Sequence, residues 1–239
     1  AGQGTVGVEV MRQLPSAEII FVPIGGGGLA AGMVAYIKAI RPEIRVIGVE
    51  PAGANAMTLS LARGEMVKLA KVDGFADGVA VREPGRDCFE IIQTMIDGII
   101  TVKTDQIASA IKDVFGDTRS ILEPAGAVAV AGAKAYCQAH GVTGKVIAVT
   151  SGANMNFDRL RVISEIADQG GKEEATLLSI IPEKNGEFKR FVETVGDINI
   201  SEFKYRVQGA DARVLYSIEV SDLKDVQNTM QRMEALGFK

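Results

Sequence analysis

Four consecutive glycines, Gly25, Gly26, Gly27 and Gly28, sit between a run that reads as a strand and a run that reads as a helix. The segment 18–24 (EIIFVPI) is short, apolar and β-branched, the composition of a buried strand. The segment 29–40 (LAAGMVAYIKAI) places Leu29, Met33, Tyr36, Ile37 and Ile40 near one helical face. With no Cβ between these two runs, the backbone can take positive φ and lie close to a ligand. Amides at such a helix start point outward at the positive end of the dipole, which suits an anion and above all a phosphate. A merely flexible glycine turn is the alternative, and four glycines in a row at a strand-to-helix junction argue against it.

The residues after the glycines narrow the kind of phosphate. A Walker loop needs Lys-Ser or Lys-Thr after its last glycine, and here Leu29-Ala30 stands instead, which disfavours a nucleotide triphosphatase. The run 26–31 fits the dinucleotide pattern G-x-G-x-x-A, and Glu50 ends a strand-like run, 44–50 (IRVIGVE), about where a ribose-binding acid sits. A nicotinamide-dependent oxidoreductase therefore stays open on these residues alone.

Composition excludes other classes. A chain of 239 residues that is 47 % hydrophobic can bury a substantial core in one or two domains. A net charge of −4 with no long basic run speaks against nucleic acid. No apolar stretch approaches the roughly 20 residues that a membrane span needs. Cys88 and Cys137 are isolated, so neither a metal cluster nor a disulfide framework is indicated, and each reads as a small buried apolar residue. The only histidine, His140, precedes Gly141 at a predicted helix end, where a cation suits the dipole, and a general-base role is the weaker reading. The chain opens with Ala1 in a loop-like AGQGT, which suggests a processed chain or a fragment.

Along the chain, Thr5 is a candidate cap for a helix to about Leu14. Strand 18–24, helix 29–41, strand 44–50 and helix 54–63 come after it, and then a loop-rich stretch, 64–97. Next come strand 98–102, helix 105–116, a helix from Pro124 to about Ala139, strand 145–150 and a helix over 157–167. Apolar strands alternating with helices predict an α/β unit with a mostly parallel sheet. Character changes at a polar, glycine-containing linker, 168–174. Beyond it, strand 175–181, a helix marked by Phe188, Phe191, Val192 and Val195, alternating runs at Phe203, Tyr205 and Val207 and at Val214, Tyr216, Ile218 and Val220, and a last helix with Leu223, Val226, Met230 and Met233 give β-α-β-β-α. That order is an α+β ferredoxin-like unit expected to lack its final strand. The expected domains are 1–170 and 174–239.

The segments AGQGT (1–5), PIGGGGLAAG (23–32), VIGVEP (46–51), ILEPAGA (121–127) and TSGANMNFDRLR (150–161) together resemble the later part of the catalytic domain of the biosynthetic threonine dehydratase family. That family belongs to the fold-type II (tryptophan synthase β-like) pyridoxal-phosphate enzymes. Residues 174–206 resemble its ACT-like regulatory domain. The resemblance covers essentially the whole chain. It implies pyridoxal 5'-phosphate as cofactor, with Gly25, Gly26, Gly27, Gly28 and Leu29 around the phosphate and Ser151 at the pyridine nitrogen. Ser151 is otherwise a turn or capping serine. Glu123 matches a position lining the pocket, or is a carboxylate favoured by a helix dipole. Tyr205 and Arg206 are implied effector contacts, although Tyr205 alternates with Phe203 and Val207 and is open to a core role too.

By the same resemblance the activity is β-elimination of L-threonine to 2-oxobutanoate and ammonia, the committed step towards isoleucine. Isoleucine or valine would be the effector and a homo-oligomer, a tetramer, the assembly. The compartment would be the cytoplasm in a bacterium and a plastid or mitochondrion in a eukaryote. The family's cofactor-bearing lysine lies in an S-x-K-x-R-G segment, and no lysine here has those neighbours. It is expected upstream of Ala1, which would leave this chain an inactive fragment. Some relatives bind a divalent cation through an acid like Glu50, but Ala54 and Ala56 occupy the nearby positions, so no metal site is expected. A serine dehydratase or racemase on the same scaffold, and a non-catalytic binding fragment, are the remaining alternatives.

Overall fold

All five residues of β1 (Ile19–Pro23) are buried. A strand hidden on both faces needs helices on both sides of its sheet. The computed structural model describes residues 2–171, 174–196, 198–219 and 223–238. In it β1 lies inside a four-stranded parallel sheet with β2 (Arg45–Pro51), β3 (Gly98–Val102) and β4 (Val146–Ala148), in the order β3-β2-β1-β4. Register places Phe21 opposite Ile47 on one side and Ala148 on the other.

Strand alternation divides the apolar residues between two cores. Ile19 and Phe21 pack with Ile47 and Val49 on one face, against α5 (Thr104–Thr118) and α6 (Pro124–His140). Ile20 and Val22 pack with Val46 on the other, against α1 (Gly4–Gln13), α2 (Gly28–Ile40), α3 (Ala56–Arg63) and α4 (Arg86–Met95). α7 (Arg159–Gly171) follows β4 and adds Ile163 and Ala167 to the first of these cores. Pro124 opens α6 as its first residue, and Gly141 closes it at φ 60°. His140 stacks on Tyr136 at 4.0 Å, with Nδ1 2.9 Å from the Tyr136 carbonyl, a surface arrangement at the helix end.

Several sequence expectations shift. Thr5 lies inside the first turn of α1 and donates to the Gly2 carbonyl, so it does not cap the helix. The buried face of α2 is Ala30, Ala31, Met33, Val34 and Ile37, while Ile40 is 46 % exposed. The expected loop 64–97 contains α4, whose Phe89 and Ile92 are buried. The stretch before α4 is short on periodic residues and carries Pro84-Gly85, which hid the helix start. A 3-10 turn, Ala52–Ala54, precedes α3, which starts two residues later than expected. β4 is shorter than 145–150. Helix α7 continues through Gly171, into the expected linker. Cys88 and Cys137 are partly rather than fully buried.

The chain divides into two compact units, Ala1–Ala167 and Asp168–Lys239. The second contains β5 (Glu174–Pro182), α8 (Glu187–Val195), β6 (Ile200–Gln208), β7 (Asp211–Glu219) and α9 (Leu223–Ala235). The strands are antiparallel in the order β5-β7-β6. Its core holds Ile181, Phe191, Val195, Val214, Tyr216, Ile218, Met233 and Phe238. Val220, Lys172, Glu173 and Lys239 lie outside the described residues. No helix among the described residues is long and apolar enough to cross a membrane.

One contact sets the spacing between α6 and the sheet. A Cβ built on Gly132 would lie 2.6 and 2.7 Å from the two methyls of Val49. Gly132→Ala should therefore destabilise the chain by about 1–3 kcal/mol through overpacking, outweighing the roughly 1 kcal/mol that alanine gains over glycine within a helix. Thermal denaturation checks this, and an unchanged or raised midpoint would mean that α6 has slack against β2.

Candidate cofactor-binding site

The glycine loop leaves the carboxyl end of β1 pinned to β2, since the Ile24 N–H donates to the Val49 carbonyl at 2.8 Å. Gly27 then turns the chain at φ 93°, and the Ala31 N–H is the first to close the helical ladder, on the Gly27 carbonyl at 2.8 Å. The N–H groups of residues 25–30 find no acceptor in the described hydrogen bonds. They are the orphan donors of a helix start, which an anion can satisfy.

The loop is closed on one side and open on the other. A Cβ on Gly25 would lie 2.9 Å from the Val79 Cα. One on Gly27 would lie 2.9 Å from both Cys88 Cβ and Met57 Cε and 3.1 Å from Ile92 Cδ1. The Gly26 carbonyl accepts the Gly85 N–H at 3.0 Å. At Gly26 and Gly28 a Cβ would meet nothing within 4 Å, so the free face opens there. This is a cradle of amides with a packed back wall, and the residues present fit a phosphate group. Leu29 is the second residue of α2 and partly buried.

Ser151 lies three residues beyond the end of β4 and is exposed. Because β4 pairs in parallel with β1, Ser151 and the glycine loop leave the same carboxyl edge of neighbouring strands, where open parallel sheets present ligands. Glu123 joins them. Its N–H donates to the Gly152 carbonyl at 3.2 Å. A Cβ on Gly152 would overlap the Glu123 carboxylate, so that carboxylate lies directly on Gly152 beside Ser151. As the residue preceding α6, Glu123 makes no side-chain capping hydrogen bond. Sequence reasoning passed over the 3-10 turn Asp77–Val79, which packs Val79 on Gly25; a Cβ on Gly78 would lie 2.9 Å from the Ala125 Cβ and 3.8 Å from Glu123 Oε1. Its Asp-Gly pair was the available turn signal. Arg159 secures this turn region, donating to the Phe75 carbonyl at 2.7 Å.

Glu50 has a different place from the ribose-binding one. It is fully buried, and both carboxylate oxygens are engaged within the chain. Oε1 accepts the Met57 N–H at 2.9 Å; Oε2 accepts the Thr58 N–H at 2.7 Å and the Thr58 hydroxyl at 2.6 Å. Burial pushes its carboxyl above the ordinary value, and the Thr58 and Met57 hydrogen bonds partly offset that rise. A carboxylate so committed to the start of α3 is not presented to a ribose, which removes the dinucleotide reading. Ala54 and Ala56 beside it carry no ligand atoms in their side chains.

Tyr205 and Arg206 belong to the second unit, on β6. Tyr205 is 39 % exposed, which excludes a core role. Its ring meets Phe188 edge-on at 5.6 Å, and its hydroxyl donates to Glu183, a bond that raises the phenol pKa. Arg206 pairs in register with Arg213.

Comparison with known proteins places these features. Residues 1–152 match the family described as pyridoxal-phosphate dependent enzyme, and residues 165–239 match the C-terminal regulatory domain of threonine dehydratase. The biosynthetic chloroplastic threonine dehydratase of Arabidopsis thaliana is 53 % identical over 242 residues, covering 100 % of this chain and 41 % of that protein. The biosynthetic L-threonine dehydratase of Burkholderia multivorans is 49 % identical over 242 residues, covering 100 % of this chain and 48 % of that one. In structure, the processed form of threonine deaminase isoform 2 from Solanum lycopersicum superposes with a TM-score of 0.69 at 50 % identity, covering 70 % of this chain and 49 % of that one. The chain thus spans about two fifths to a half of the length of these relatives. With an open amide cradle at the carboxyl edge of a parallel sheet and a regulatory unit after it in sequence, the chain belongs to the pyridoxal-phosphate dependent enzyme family.

Proposed function

We propose that this chain is the phosphate-cradling and regulatory portion of a threonine dehydratase, which converts L-threonine to 2-oxobutanoate and ammonia. The observation that carries the reading is the amides of residues 25–30, which meet no acceptor among the described residues, in one chain with a unit matching the regulatory domain of threonine dehydratase. Bound at the cradle, pyridoxal phosphate supplies the electron sink that makes loss of the α-proton and departure of the β-hydroxyl feasible. The chain's own residues hold and tune it. The amides of Gly25, Gly26, Gly27, Gly28 and Leu29 donate to the phosphate, and the helix dipole favours its charge. Ser151 offers a neutral hydroxyl to the pyridine nitrogen. A carboxylate there would keep that nitrogen protonated and favour a long-lived carbanion, whereas a hydroxyl suits rapid elimination. Glu123, lying on Gly152, borders the same space.

No lysine of the chain lies in an S-x-K-x-R-G segment, so this reading takes the cofactor-bearing lysine from outside the 239 residues. The domains are then 1–170 for the cofactor and 174–239 for control. Isoleucine or valine is the proposed effector, Tyr205 and Arg206 are its candidate contacts, and a homo-oligomer is the proposed assembly. Control requires that the effector bind one conformational state better than another. A serine dehydratase or racemase would share the cradle, and the regulatory match of residues 165–239 favours threonine.

Three measurements test this reading. Gly27→Asp places a like charge and a side chain in a filled space, and affinity for 4'-deoxypyridoxine 5'-phosphate, which lacks the reactive aldehyde, should fall at least tenfold, or roughly 1.4 kcal/mol; equal affinity would remove the cradle assignment. In the full-length protein, Ser151→Ala should keep the thermal midpoint and lower kcat for threonine more than it raises KM. Unaltered kinetics would make Ser151 a turn residue only. Ending the full-length protein after Gly171 should abolish inhibition by isoleucine while deamination persists, and inhibition that survives would place the effector elsewhere.

A further inference from the structure

We propose that Glu50 is a positioning residue for the phosphate cradle: its buried carboxylate fixes the first turn of α3, and through Met57 it holds the closed side of the glycine loop in shape at Gly27. The proposal rests on the cradle reading and assigns a remote residue to it.

Glu50 stands at the carboxyl end of β2, the strand whose Val49 carbonyl already anchors Ile24 at the loop entrance. Its side chain reaches the start of α3. There Asn55, the residue that would normally cap the helix, makes no side-chain capping bond. Glu50 replaces that cap from a different element, taking two backbone amides and one hydroxyl. A carboxylate at a helix N-terminus is favoured by the dipole. Even so, a fully buried one with no Lys or Arg paired to it among the described ion pairs is a costly way to start an eight-residue helix. A capping bond from the residue at the cap would do it more cheaply, yet Asn55 stands there without making one.

What the carboxylate adds is a fixed position for the neighbouring side chain. Met57, whose amide Glu50 holds, is itself fully buried. Its Cε fills the space beside Gly27, together with Cys88 and Ile92 of α4. Gly27 is the one cradle residue with positive φ, and its φ of 93° decides where the flanking amides point. A loop without side chains cannot hold such a shape by its own packing, so the wall behind it must. The line from Glu50 through Met57 to Gly27 is a physical contact chain of two steps. Methionine is flexible, and its placement depends on a fixed backbone.

The test uses the 239-residue chain and two probes, 4'-deoxypyridoxine 5'-phosphate and 4'-deoxypyridoxine, titrated well below each variant's thermal midpoint. The unaltered chain should prefer the phosphorylated probe. Glu50→Gln leaves one acceptor oxygen and turns a donor towards donors. It and Met57→Ala should each weaken the phosphorylated probe about tenfold, with less than a twofold change for the other probe. The double variant should bind no more weakly than the weaker single one, because both break one linkage. Met57→Leu should restore binding, and Thr58→Val, the gentler variant if Glu50→Gln does not fold, should give about a threefold loss. Variants with lowered thermal midpoints and unaltered phosphate affinity would overturn the proposal, as would losses that multiply in the double variant. No preference for the phosphorylated probe in the unaltered chain would instead remove the cradle reading, and the proposal with it.

Discussion

The first unit depends on a set of hydrogen bonds that the protein does not make. Among the described residues amides 25–30 meet no acceptor, while the wall behind Gly25 and Gly27 is packed. Leaving buried or half-buried donors unpaired costs free energy in an empty protein. In the proposed cradle, that cost is what an arriving anion would recover. For that exchange to work, the loop must neither collapse onto itself nor find substitute acceptors. The packed back wall at Gly25 and Gly27, set against open space at Gly26 and Gly28, satisfies both conditions.

The rest of the site is set by sheet geometry. Parallel pairing of β1 with β4 brings the glycine loop and Ser151 to one edge, although about 120 residues of chain separate them. Glycine contacts then tie the edge together. Val79 sits on Gly25, Gly78 approaches Glu123, and Glu123 lies on Gly152. The contacts at Gly25 and Gly152 need a residue without a side chain, so these glycines serve close approach as much as chain reversal. The loop that carries Val79 and Gly78 is in turn held by Arg159, which arrives from the segment after Ser151. The carboxyl edge is therefore a mutually braced set of loops.

The second unit is built on different physics. Its antiparallel sheet buries one face under two helices, and its strands alternate accordingly. Phe188, Val192, Phe203, Tyr205 and Val207 remain exposed, so the aromatic residues of β6 line a surface and leave the core to β7. Alternation on an edge strand identifies which residues share a face, but covering that face takes a helix broad enough to reach it, and α8 reaches only as far as Phe188.

The sequence by itself determined the alternation of strands and helices in the first unit, the change of character near residue 168, the glycine loop and the helix opened by Pro124. These are local properties, written in hydrophobic period, in the missing Cβ atoms of residues 25–28 and in fixed proline geometry. Family motifs added Ser151 and Glu123 as candidates. Only tertiary structure decided what Glu50 does. A carboxylate at the end of β2 reads from sequence as a ribose ligand, and its actual place depends on α3 folding back so that Met57 and Thr58 offer their donors. The same holds for α4 and the turn at Asp77–Val79, whose roles lie in contacts with Gly25 and Gly27 far away in sequence. Short-range pattern carries no information about such contacts, because they are set by which elements the packed core brings together.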